Sequence, residues 1–328
     1  MTETIGRKRV MGIAKETTYA TPATAPSHML TLLETPRFEF IQNKVENEAA
    51  IGSTYAVNAV ANTTRMGKVT LKVKVDENVL PLLLLQKFSN STTNLGSGAY
   101  RHTLTYLNSI ANNTVRSYSL FIDDTELGDL RMSGVMFNNI KFTAEIENFL
   151  IAELEGVGRL PASFTHTPLI VNPNEFVGRH IKFALVDFSA TFSNINVQKI
   201  ETNLMFNLVE QDGFVLGEQE LQTLFTTENR LEVDVERIMV DTTYRTDFLN
   251  NTRKKSRIVA EDTGRVIGSS AVNPKIQILI PDCYIIEWSE DGGLSDLVKE
   301  KFKLLSVNAV GVTDAPVQFE ITNGVASY

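Results

Sequence analysis

Between Val69 and Val75 an apolar residue occupies every second position, and such alternation, recurring in short runs, most narrows what this chain can fold into. Successive side chains of a strand leave opposite faces, so Val69, Leu71, Val73 and Val75 form one face and Thr70, Lys72 and Lys74 the other. Gly, Asn, Asp and Pro clusters separate the runs, as turns separate the strands of an antiparallel sheet. Helices are the exception. Asp76 stands where it can cap a short helix through Val79, Leu80 and Leu82 to Leu85, with Pro81 tolerated only near the first turn. A helix apolar all round must be buried.

The same order returns further on. Leu231, Val233 and Val235 alternate with Glu232, Asp234 and Glu236, and Asp241 then precedes Thr242, Thr243, Tyr244, Phe248 and Leu249. Tyr118, Leu120 and Ile122 before Asp123 correspond in this reading to Ile276, Ile278 and Ile280 before Asp282. Each half then closes on a strand pair, Ile140 to Ile146 with Ile151 to Gly156, and Phe302 to Val312 with Pro316 to Asn323. The expectation is a mainly β fold of two tandem sandwich or barrel domains, each with a short flanking helix. Residues 1–160 form the first, with an N-terminal arm, and 175–328 the second. Pro161, Pro168 and Pro173 place a linker at 161–174, since proline supplies no N–H to a ladder. Three stretches read as irregular: Thr17 to His28, Asn47 to Gly67 and Asp262 to Asn273.

With 31 basic and 39 acidic residues in 328, the net charge of −8 argues against an overall phosphate-binding surface. Cys283 is the lone cysteine, which excludes an intrachain disulfide and a cysteine-based zinc site. It reads as a small buried hydrophobe, and Trp288 as a core or subunit contact. His28, His102, His166 and His180 show no metal-ligand spacing. The acidic turn Glu290, Asp291, Gly292, Gly293 and Asp296 lacks the ordered alternate ligands of a calcium loop. Phosphate-loop, dinucleotide, zinc-protease and nucleophile-elbow motifs are absent. No catalytic, cofactor or metal residue is assigned. Met1 to Lys15 holds no apolar run of signal-peptide length and Leu82 to Leu85 is far short of a membrane span, so the expectation is an unprocessed intracellular product without membrane insertion.

The polar faces of the two repeated strands are opposite in sign. Lys68, Lys72 and Lys74 line the first, and Glu232, Asp234 and Glu236 the second. Two solvated faces would account for this. Alternatively, the units sit side by side in a ring and these faces meet, or line one lumen.

The stretch Gly12-Ile13-Ala14-Lys15-Glu16-Thr17-Thr18-Tyr19-Ala20-Thr21-Pro22 closely resembles the opening of tail tube proteins of long-tailed, non-contractile bacteriophages. Ala20 departs from the pattern, because such proteins often carry glycine there. The later order follows the family in pattern, from a first strand at Arg37 to Phe40 to the final segment ending at Asn323. The resemblance implies two tail-tube-type domains and a structural virion protein without catalysis or cofactor. Its rings would stack into the conduit for DNA ejection, with double-stranded DNA passing unbound. Two such units per chain imply three chains per pseudo-sixfold ring. The partners implied are further copies of itself, a tape measure protein, and tail terminator and tail-tip proteins. The location implied is the virion tail, after synthesis in the host bacterial cytoplasm. The arm from Thr17 to Leu30 and the loop from Asn47 to Thr64 would reach the adjacent ring, with Tyr19, Pro22, Ile51, Tyr55, Val57 and Asn62 as stacking residues. Rival readings are a distal-tail or head-decoration protein, or a β-sandwich hydrolase or carbohydrate-binding module, whose carboxylate pair or aromatic platform is missing.

Overall fold

Alternating residues do become strands in a computed structural model of the chain, which describes residues 9–49, 57, 59–107, 116–123, 128–165, 175–292, 296–308 and 315–328. The fold is mainly β. The first half contains β1 (Val10–Lys15), β2 (His28–Leu30), β3 (Arg37–Asn47), β4 (Ala59–Lys74), α1 (Leu80–Leu84), β5 (Phe88–Gly96), β6 (Ala99–Tyr106), β7 (Tyr118–Asp123), β8 (Leu130–Glu145), β9 (Ile151–Gly158) and β10 (Ala162–Ser163). The second contains β11 (Ile181–Asp187), β12 (Asn194–Ile195), β13 (Lys199–Met205), β14 (Leu208–Val209), β15 (Phe225–Thr226), β16 (Arg230–Ile238), α2 (Thr243–Leu249), β17 (Lys254–Glu261), β18 (Lys275–Asp291), β19 (Lys299–Ser306) and β20 (Gln318–Asn323).

The ladders repeat. In the first half the order β2-β1-β7-β8-β10 makes one layer and β3-β4-β9-β8 another, with β8 serving both. In the second half β12-β11-β17-β18-β20 and β13-β16-β19-β18 do the same, with β18 shared. Even the irregularities match. The β7–β8 register slips after Tyr118, paired with Val135, and the β17–β18 register slips after Lys254, paired with Cys283. A second slip lies between Phe137 and Asn139 on β8, and between Ile285 and Glu287 on β18. Bulges bend a strand, and here they sit where β8 and β18 pass from one layer to the next. Pro281 falls inside the slip of β18, where its missing N–H breaks no ladder bond.

This pairing corrects the sequence correspondence by one strand: Tyr118 to Ile122 matches β17, while Ile276 to Ile280 begins the counterpart of β8. The strand at Lys254 to Glu261 carries Lys254 and Ser256 where its counterpart has Tyr118 and Leu120, which hid it. Nor do β19 and β20 pair with each other, since they flank different parts of β18. The expected linker also begins inside a ladder, because Ala162 and Ser163 pair with β8. Residues 166–174 lie outside the described residues.

The two halves are joined along β8–β13 and again where β20 pairs with β6. One layer is therefore a sheet of eight strands, β3-β4-β9-β8-β13-β16-β19-β18. Its inner face packs Phe142, Ala144 and Ile200 against Ile258, Ala260, Ile276 and Ile278 of the outer layer, leaving a cavity of only about 30 Å³. α1 is buried along its length, and α2 sets Tyr244 on Phe302 with ring centroids 4.9 Å apart. Both helices follow the same local device. Asp76 accepts a hydrogen bond from the Asn78 backbone N–H at 2.5 Å, and Asp241 from that of Thr243 at 2.8 Å. The carboxylates thus fold the turn before each helix, without acting as the N-cap itself.

The segment Asp262 to Asn273 docks the second half on the first. Arg265 Nη2 lies 3.2 Å from Glu77 Oε1, and Gly268, at φ +56°, packs so closely that a Cβ there would sit 2.8 Å from Ser97 O. Glu77 is nearly inaccessible and its Oε2 has no hydrogen-bond partner. Burial first, then the neighbouring Asp76 charge, push its carboxyl above the usual range. A carboxyl raised in the folded state favours folding at low pH, and that contribution is lost as pH rises from the unfolded value through the folded one. Glu77→Gln is therefore expected to lose less stability than the parent between about pH 5 and pH 8. Urea midpoints at both values test this, and an unchanged pH dependence would count against it.

Candidate assembly surface

The outward face of the eight-stranded sheet carries charges in rows that cross the strands. Side chains directly opposite in an antiparallel pair leave the same face, so the registers place Lys72, Glu153, Lys141, Asn203 and Glu232 in one row. A second row runs Lys74, Ile151, Thr143, Glu201, Asp234, Lys303 and Glu287. All six charge candidates lie on strands of this one face, yet β9, β8 and β13 separate the basic strand β4 from the acidic strand β16. Within the chain the two sets therefore do not meet.

Each finds nearer partners. Lys72 Nζ is 2.9 Å from Glu34 and 3.6 Å from Glu153, Lys68 is 2.8 Å from Glu210, and Lys74 pairs with Glu175. On the acidic side Glu236 lies 3.0 Å from Lys299 and 3.5 Å from Lys301, while Lys303 approaches Asp234 at 3.8 Å and Glu232 at 3.9 Å. At the seam between halves Lys199 contacts Glu145 at 2.7 Å and Glu201 at 3.0 Å, and Lys141 contacts Glu201 at 3.1 Å. These ion pairs hold the Lys199 ammonium above its ordinary range and the Glu236 carboxylate below it. The sequence reading missed Lys141, Lys199 and Lys303, although Lys299, Lys301 and Lys303 show the same two-residue spacing that singled out β4.

One end of this face is covered. The excursion between β13 and β16 lays Leu221 and Leu224 on Met136 and Val157, and its backbone receives the Arg65 N–H at Gln219 O, 2.7 Å away. Tyr19 packs against the same cluster.

Tyr19 belongs to the conspicuous N-terminal stretch, whose organiser is Glu16. Its buried carboxylate accepts hydrogen bonds from the Ala20 N–H at 2.9 Å, the Gly134 N–H at 3.0 Å, Ser117 Oγ at 2.5 Å and Ser119 Oγ at 2.7 Å. Ala20 is thereby held at φ +54°, the left-handed conformation for which glycine is the easier residue. The departure noted in the sequence falls on a turn whose geometry glycine would suit. Gly134, at φ +65°, must stay small, because a Cβ would lie 3.1 Å from that of Ala20. The Tyr19 hydroxyl is buried without a partner, and desolvation raises its pKa.

Of the other stacking candidates, Pro22 and Val57 are exposed, and Asn62 lies on β4 opposite Lys44. Ile51 and Tyr55 fall outside the described residues. Most of the described residues of the expected loop from Asn47 are ladder: β3 and β4 pair as far as Asn47 with Ala59, forming a ribbon that extends beyond β9. Its residues are wet on both faces, so no apolar alternation marked them as strand. Cys283 is fully buried, which pushes its thiol up to about 12. Among the described residues no three His, Cys, Asp or Glu side chains converge to hold a metal ion, and no helix is long and apolar enough to cross a membrane. No family model matches the chain, and no curated protein matches it at a significant level.

Proposed function

We propose that copies of this chain form rings that stack as the tube of a long non-contractile phage tail, with the charged face of the eight-stranded sheet turned to the channel. The observation that carries this reading is the sheet itself: apolar and sealed on one side, wet and charged on the other. The resemblance of Gly12 to Pro22 supports the class of tube, and the repeated ladders support three two-unit chains per ring. The lysines of the face lie beside carboxylates, so a passing DNA backbone meets no cluster of free cations able to replace its counterions. Such a wall lets DNA slide. Tape measure, terminator and tip proteins complete the proposed assembly, in which this chain performs no catalysis.

Electron microscopy of the concentrated protein, with oligomer mass measured alongside, tests the reading. Stacked hollow tubes with three chains per ring are expected. Single rings that never stack would favour a distal-tail or head-decoration role instead, and a protein that remains monomeric at all concentrations would overturn both.

A further inference from the structure

We propose that the outward face of β11 and β17 is a docking surface for a phosphodiester polymer of the bacterial envelope. Its place on the outside of a tube rests on the reading above, but the surface itself is read from one chain. Lys254, Ser256 and Ile258 of β17 are buried, so Lys255 and Arg257 leave the outer layer on its wet side. Arg253, just before the strand, shares that face, as does the exposed Lys182 of β11, which lies opposite Val259. Two rings from the turn between β11 and β12 carry the cations. The Arg253 guanidinium stands 3.6 Å from the Phe188 ring, and Lys255 Nζ and the Arg257 guanidinium stand 5.1 and 4.7 Å from that of Phe192. Asp282 neutralises Arg253 through contacts of 3.0 and 2.7 Å. Among the described residues no carboxylate pairs with Lys182, Lys255 or Arg257, and Arg257 Nε is a buried donor without an acceptor.

The repeated ladders provide a comparison. Ser119 and Phe121 of β7 stand where Lys255 and Arg257 stand on β17. Both are inaccessible: Ser119 Oγ accepts a hydrogen bond from the Ala23 N–H at 2.9 Å, and Phe121 packs on Phe164 with ring centroids 5.6 Å apart. The first half thus covers this face with its own chain, while the second leaves unpaired cations on it in a protein of net charge −8. An anion from outside fits them. Successive cations on one side of a strand lie ~6.6 Å apart, comparable to the repeat of an extended glycerol-phosphate chain. Because β17 lies between β11 and β18, it offers no open edge, and an acidic peptide laid across it would bring backbone N–H groups with no ladder to join. A phosphodiester chain brings none. The rings are already engaged by cations, so they are not the free platforms on which single-stranded nucleic acid stacks its bases. Stacked rings would repeat the surface along a tail, and weak single contacts would then act together.

Titration of the full chain with poly(glycerol phosphate) tests the surface. Binding should weaken by roughly twentyfold between about 50 and 200 mM salt, the response expected when three cations displace counterions from a flexible polyanion. Lys255→Ser/Arg257→Gln should keep the fold by circular dichroism, since both side chains lie outside the core, yet weaken binding by about tenfold or more at low salt and flatten its salt dependence. Binding that this variant retains would place the contact elsewhere and overturn the proposal. Polyglutamate bound as tightly, or oligothymidylate bound more tightly, would overturn the phosphodiester assignment in favour of an acidic protein or a nucleic acid. Tubes that form but ignore the polymer would remove the surface and leave the tube standing. A chain that binds the polymer yet never forms tubes would support the surface and remove its place on a tail.

Discussion

Glu16→Ala is expected to destabilise the fold by about 3–5 kcal/mol, near the upper end for a single substitution. The Glu16 carboxylate is an acceptor for two backbone N–H groups, of Ala20 in the turn after β1 and Gly134 on β8, and for two hydroxyls, of Ser117 just before β7 and Ser119 on it. Removing it leaves those donors facing one another in a site 5% exposed, and each buried unsatisfied donor costs about 1–3 kcal/mol. The hydroxyls can rotate away, but the N–H groups of Ala20 and Gly134 cannot. Glu16→Gln should recover only part of the loss, because its amide nitrogen points hydrogens at donors. Urea unfolding of the three proteins, compared by midpoint at unchanged slope, measures the effect; a loss below about 1 kcal/mol for the alanine variant would show that water replaces the carboxylate.

Arg237→Met alone should cost about 3–5 kcal/mol, whereas Arg237→Met combined with Glu300→Leu should regain most of that loss. Both residues are buried, with Arg237 Nε 3.1 Å from Glu300 Oε1, while Glu300 Oε2 accepts a hydrogen bond from Trp288 Nε1 at 3.0 Å. Burial raises the Glu300 carboxyl, a sign that desolvation weighs heavily on this pair. The first half shows that the position does not need charge. By the ladder correspondence, Val73, Ala152 and Ile140 occupy the places of Arg237, Glu300 and Trp288 in an apolar core. Breaking the pair strands a buried charge, but replacing both members with apolar volume removes the need for either. A thermodynamic cycle over the two single variants and the double variant decides it. A double variant as destabilised as either single would mean that the ion pair itself holds the strand edge, and additive losses would mean that the two side chains act independently.

Burial on one face made most of the fold legible. Val69 to Val75 and Leu231 to Val235 announce strands because their inner faces meet a core and their outer faces meet water. α1 was readable from Asp76 and its leucines for the same reason. The ribbon beyond Gly67 was not, since Lys44, Asn62 and their neighbours are held by backbone pairing with water on both sides. The repeat was visible, but its register was one strand out, because the β17 strand carries Lys254 and Ser256 where its counterpart has Tyr118 and Leu120. Of the candidate surface, the charges of β4 and β16 could be read directly. Their true partners, Glu153 on β9, the lysines of β19, and Glu34, Glu175 and Glu210 outside the sheet, could not, because a neighbour across a sheet or from a crossing loop is set by topology that no local pattern encodes.

The two strands that serve both layers bear on how the chain responds to force. Near the start β1 lies between β2 and β7, and near the finish β20 lies between β18 and β6. Tension applied along either strand must slide it past two neighbours at once, loading many hydrogen bonds together instead of peeling them one after another. Because β8 and β18 carry that load into the second layer of each half, and the β8–β13 and β20–β6 ladders tie the halves together, rupture should come as one abrupt event at high force.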